Sequence, residues 1–146
     1  MMVALVGFSG LASGQDRAAV LKERQDTMKE QGKDLKNVKA YLDGKGELAP
    51  AKSSATNLTK TTNKIPDLFP RGTEGPNPTG DYAAKPAIWT DWNKFLDAQK
   101  TAVAKANALV VALNGGDKGA VQAAYADLGK NGCGACHTTF REKIEK

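Results

Sequence analysis

The sequence predicts an all-α fold, an antiparallel four-helix bundle, from three observations. Four apolar stripes keep helical steps of three and four residues, two glycine-marked turns join them in pairs, and one long connection gathers nearly all the proline. The first stripe is Leu21, Met28, Leu35, Val38 and Leu42, with Asp16 as the expected N-cap and Gly44 as the expected stop. At the helical rise, Asp16 to Leu42 spans ~40 Å. The second stripe is Leu48, Ala51, Ala55, Leu58, Thr62 and Ile65; serine, threonine and asparagine crowd it, so its intrinsic helix propensity is poor.

The third stripe is the cleanest: Ile88, Trp92, Phe95, Ala102, Ala106, Leu109 and Leu113, stopped by Gly115-Gly116. Pro86 stands before its first turn, where proline is tolerated. The fourth begins near Asp117 and runs through Val121, Tyr125, Leu128, Cys136 and Phe140. Gly129, Gly132 and Gly134 lie on it at a cost in helix stability, which implies that something approaches the backbone closely there. Residues 66–86 hold five of the six prolines and form the one long irregular connection, expected to cross one end of the bundle. No strand-period alternation competes with the helices.

With 146 residues and 40% apolar content, the chain has the size and composition of one globular domain. Its mean hydropathy of −0.46 and lack of a long apolar run exclude a mature chain that spans a membrane. The net charge of +5 is spread along the helices and is no nucleic-acid signature. Residues 1–14 carry no charge; an apolar stretch is followed by Leu11-Ala12-Ser13-Gly14, so this segment reads as the remnant of an export signal cleaved before Gln15. The domain is then residues 15–146, exported to the periplasm.

Cysteine and histidine usage is the most informative feature. The chain's two cysteines and single histidine all fall within Cys133-Gly134-Ala135-Cys136-His137. Three ligands cannot close a zinc site, and a thioredoxin-like pair needs a strand before the motif. The spacing C-x-x-C-H is the attachment signature of c-type haem. Cys133 and Cys136, three apart, meet two vinyl groups along one haem edge, and His137 becomes the proximal iron ligand. One covalent haem c per chain is the expectation.

In this context the segment Gly129-Lys130-Asn131-Gly132-Cys133-Gly134-Ala135-Cys136-His137-Thr138-Thr139-Phe140-Arg141 resembles the attachment helix of the class II cytochromes c, the cytochrome c′ group and its low-spin, methionine-ligated relatives. Leu68-Phe69-Pro70-Arg71-Gly72-Thr73 and Lys85-Pro86-Ala87-Ile88-Trp89 are similar to that family's inter-helix loop and third-helix start. Arg24-Gln25-Asp26-Thr27-Met28-Lys29 is similar to its first-helix motif. The resemblance implies a four-helix bundle with its haem near the C-terminus. It implies that Arg24 lies near the haem propionates, Arg141 beside the proximal histidine, and Met28 at the distal face of the iron. High-spin members of the family carry a non-ligating side chain at that last position; low-spin members carry methionine.

Arg24, Met28 and Gly32 share one helical face, so Gly32 leaves room for a macrocycle. Met28 also fits the bland reading of a core methionine, flanked as it is by Leu21 and Leu35. With His137 and Met28 both on the iron, the protein carries electrons between unidentified redox proteins and is no enzyme. The alternative is a five-coordinate protein that binds nitric oxide or carbon monoxide. A peroxidase-like enzyme is disfavoured, since no second histidine exists to act on the distal side. Neither of the first two helices shows a strong spare apolar face, and monomer and homodimer both stay open.

Overall fold

The structure, a computed structural model, describes residues 14–145. The expected export segment lies outside the described residues except for Gly14, with which the first helix opens. Helix α1 spans Gly14–Leu42. Asp16 therefore sits inside the first turn rather than capping it, where its charge still complements the helix dipole. At the other end the Gly44 N–H donates to Tyr41 O and the Lys45 N–H to Ala40 O, with Gly44 at φ 72°. This pair of reversed bonds satisfies the last carbonyls and needs a left-handed residue, which glycine supplies without strain.

Helix α2, Leu48–Asn63, returns antiparallel to α1. It stops short of Ile65 because Pro66 lacks an N–H and disfavours helical backbone just before it. Ile65–Leu68 instead form a 3-10 turn. The expected third helix is divided: α3 covers Ala87–Thr90, Asp91 breaks the backbone at φ −117° and ψ 45°, and α4 runs Trp92–Gly115. Gly116, at φ 76°, ends α4 as expected. Asp117 caps α5, Lys118–Asp127, by accepting from the Gly119 N–H.

After α5 the last column changes pitch. Leu128–Gly134 is a π-helical stretch, and only Ala135–Phe140, α6, is again α-helical. The chain then leaves as a strand. Three short strands, β1 (Gly75–Pro76), β2 (Tyr82–Ala84) and β3 (Arg141–Lys143), form an antiparallel sheet in the order β1-β2-β3. Its register pairs Ala84 with both Gly75 and Arg141. The Lys85 N–H donates to Phe140 O at 2.9 Å and the Ile144 N–H to Asp81 O at 2.8 Å. The long loop expected to be irregular is thus stitched to the end of the motif-bearing column.

The four helical columns enclose two apolar clusters. One is aliphatic, built from Val38, Ala51, Ala55, Leu58, Ala106, Leu109, Leu113, Val121 and Leu128. The other is aromatic, with Phe69, Trp89, Phe95 and Phe140 packed among Ile65, Leu68 and Ile88. Phe95 meets both Phe69 and Phe140 edge to face, at centroid distances of 5.0 and 5.3 Å. Among the described residues, no helix is long and apolar enough to cross a membrane.

Candidate functional site

The three motif residues lie at the change of pitch. Cys133 is in the π-helical stretch, while Cys136 and His137 are in α6. A single regular helix was expected there. The glycines explain the departure: a β-carbon at Gly134 would lie 2.8 Å from Gly129 O, and one at Gly132 would press on Leu128 and on the backbone of Ala102. At Gly134 only glycine fits inside a turn this wide, and Gly132 eases its packing on Leu128 and on Ala102 of α4. As a result Cys133 packs on the aliphatic cluster and Cys136 on the aromatic one. The two thiols straddle the boundary between the clusters.

Both cysteines are free and half-buried. Burial raises the Cys133 thiol above its ordinary range, and burial with the neighbouring Cys133 pushes Cys136 up to about 11. Such thiols are protonated at neutral pH, unlike a thiolate metal site or a reactive dithiol pair. Among the described residues there is no group of three acidic, cysteine or histidine side chains that would hold a bare metal ion. Burial, then the charge of Arg141, pushes His137 down to about 4, so its imidazole is neutral and keeps a lone pair for an axial ligand role.

The surroundings also fit a flat cofactor. Helix α1 packs on α2, on the Ile65–Leu68 turn and on α5, but among the described residues it makes no comparable approach to residues 128–140. The helix bearing Met28 therefore stands off from the segment bearing His137. A β-carbon at Gly32 would meet nothing within 4 Å. Met28 is half-buried at the edge of the aromatic cluster, as is Cys136. A separate open groove of about 310 Å³ lies between α4 and the motif column and is bordered by Lys94, Ala98, Cys136 and Phe140. Neither Met28 nor His137 lines it.

Arg24 is 8% exposed. Its Nε donates to Leu68 O at 2.9 Å, Nη2 to Thr73 Oγ1 at 2.7 Å, and Nη1 more weakly to Thr73 O at 3.5 Å. The guanidinium lies 4.0 Å from the Phe69 ring centroid. Burial, followed by repulsion from Arg17, lowers Arg24 to about 10, so it remains charged at neutral pH. Arg141, expected one turn along a helix from His137, is instead the first residue of β3. It is exposed, with its guanidinium 4.1 Å from the Tyr82 ring centroid, and its charge still reaches His137.

Several polar positions of the site, Thr62 apart, were not marked by periodicity. Thr73 is buried and its hydroxyl donates to Pro70 O at 2.7 Å. Gln31 Nε2 donates to the hydroxyls of Thr61 and Thr62, and Gln99 Nε2 to Thr62 O, forming a buried polar belt across α1, α2 and α4. The motif stretch residues 68–73 is the signal that contained Thr73.

Comparison with known proteins agrees with this geometry. The family described as Cytochrome C' matches residues 19–141. A cytochrome c-556 from Agrobacterium tumefaciens is 32% identical over 128 residues, covering 86% of this chain and 99% of the relative. A cytochrome c' from Rhodopseudomonas palustris is 31% identical, covering 92% of this chain and 88% of the relative. Among solved structures, a nitric oxide complex of a cytochrome c prime mutant from Alcaligenes xylosoxidans superposes with a TM-score of 0.75 at 27% identity, covering 88% of this chain and 97% of that one. With its four-helix bundle, its Cys133 and Cys136 spaced for covalent attachment of haem c, and this match along nearly its whole length, the chain belongs to the cytochrome c′ family.

Proposed function

We propose that the protein is a periplasmic electron carrier in which His137 and Met28 hold the two axial positions of the haem iron. The haem supplies a one-electron couple when bound; the chain sets its surroundings. Cys133 and Cys136 fix the cofactor edge at the boundary of the two apolar clusters. His137 offers a neutral imidazole from the proximal side. The observation that carries the reading is Met28, the single methionine among the described residues, on the face of α1 that also bears Arg24 and Gly32 and at the edge of the aromatic cluster. Were both residues bound to the iron, no open position would be left for a substrate, and a thioether would favour the reduced state.

Three Arg24 N–H groups point at the loop out of a guanidinium's five, so donors remain for a propionate. Arg141 contributes positive charge beside His137. The uncharged residues 1–14 and the cofactor support export, and the net charge of +5 suits acidic redox partners.

A second reading, a five-coordinate gas-binding protein, is favoured by the nitric oxide complex of the Alcaligenes relative. Optical spectra of the native oxidised and reduced protein, with and without carbon monoxide, separate the two. The electron carrier is low-spin in both states and binds carbon monoxide slowly. A high-spin native spectrum with rapid carbon monoxide uptake assigns the protein to the second reading.

A further inference from the structure

Met28 lies one helical turn beyond Arg24 on α1, and among the described residues two arginines of this helix bond to the following loop: Arg17 Nη2 donates to Glu74 O at 2.7 Å, and Arg24, nearer Met28, holds residues 68–73. Of the three acceptors of Arg24, only Thr73 Oγ1 belongs to a side chain. Thr73, 5% exposed, accepts from Arg24 Nη2 through Oγ1 at 2.7 Å and donates its own O–H to Pro70 O at 2.7 Å. The hydroxyl is therefore used in both directions, and each bond strengthens the other. Pro70 in turn shares its carbonyl with Trp89 Nε1, at 3.3 Å, beside the stronger bond from that ring to Phe69 O at 2.9 Å. Arg24 lies over the same Phe69 ring that packs on Phe95.

A thioether is a weak iron ligand that the fold must hold in place. A rotation of α1 about its axis moves Arg24 and Met28 together, since they share a face. We propose that Thr73 is a positioning residue: by fixing the Arg24 guanidinium against the loop, it holds α1 in the rotation that presents Met28 to the iron. This rests on the methionine-ligated reading above. Thr73 touches neither cofactor nor ligand in this role and acts through Arg24.

The test uses the holoprotein with Thr73→Val, which keeps shape and removes the hydroxyl, and Thr73→Ser, which keeps the hydroxyl. Carbon monoxide binding to the reduced protein reads how often Met28 leaves the iron. Amide exchange in residues 24–32 reads the hold on α1 independently, and far-UV melting reads global stability. Losing a buried bond to a charged group predicts binding about tenfold faster in Thr73→Val. Exchange in residues 24–32 rises with it, the melting temperature falls by no more than a few degrees, and Thr73→Ser restores both local readouts.

Met28→Leu serves as the reference. If it binds carbon monoxide rapidly while Thr73→Val behaves as the native protein, the positioning role is wrong and the methionine reading stands. If Thr73→Val and Thr73→Ser are equally fast, the hydroxyl is not the cause and the proposal fails. If Met28→Leu matches the native protein, Met28 is no ligand, and both statements fall together.

Discussion

Arg24 carries two properties that a surface arginine lacks: a desolvated charge and a set of directed donors. Its fork reaches Leu68 O and the Thr73 hydroxyl together, and its plane lies on the Phe69 ring. A lysine keeps the charge but has neither the fork nor the flat face. Arg24→Lys should therefore destabilise the protein by about 1–3 kcal/mol, measured by denaturant unfolding. A loss near zero would mean that the loop holds its place without the guanidinium. Periodicity alone showed Arg24 only as a charged residue between Leu21 and Met28. Its place near a cofactor came from the family resemblance, and its burial and its bonds to the loop came from the fold. Gln31 and Thr61 were hidden for a related reason, whereas Thr62 already lay on the predicted α2 stripe. Threonine can bond back to the carbonyl four residues earlier, as Thr61 does to Asn57 O at 2.9 Å, and so reads as an ordinary exposed helix residue.

The helical elements follow the sequence closely wherever apolar spacing sets them. Buried Ala51, Ala55, Leu58 and Thr62 reproduce the predicted α2 stripe, despite its poor propensity, because packing against α1 and α4 outweighs propensity. Strands of two and three residues show no alternation, and β3 pairs with a segment almost sixty residues earlier, so no local pattern announces the sheet. The π-helical stretch was visible only as three glycines. Its entry is held by Asp127: Lys105 Nζ donates to Oδ2 and Asn131 Nδ2 to Oδ1, both at 2.6 Å. The bonds from Lys105 and then Asn131 hold the Asp127 carboxyl below its ordinary value of 3.8. A carboxyl lowered by folding adds stability above its unfolded pKa and loses it as pH falls through the folded one. Asp127→Asn should thus lower the melting temperature at neutral pH and flatten the loss of stability below pH 3.8. Parallel acid curves for variant and native protein would show that this contact contributes nothing to the entry of the motif column.

Across the whole molecule, the two clusters divide the work. Short turns close the aliphatic end, which positions α1, α2, α4 and α5; the aromatic end takes the long loop, the small sheet and the motif. The attachment residues were legible because cysteine and histidine occur nowhere else in the chain. The stand-off between α1 and the motif column was not, because it depends on how far two columns diverge rather than on any residue's spacing. Either axial arrangement would use the same bundle and the same attachment residues, so on our reading function turns on one atom, the Met28 sulfur. Met28→Leu conserves volume and apolarity and should cost less than about 1.5 kcal/mol, leaving the bundle intact. The sulfur-to-iron charge-transfer band of the oxidised protein, compared between native chain and Met28→Leu, reads that atom directly. The band should be present in the native protein and absent in the variant, which becomes high-spin when reduced and shifts to a lower potential. Identical spectra would contradict methionine ligation and leave Met28 as part of the aromatic cluster's wall.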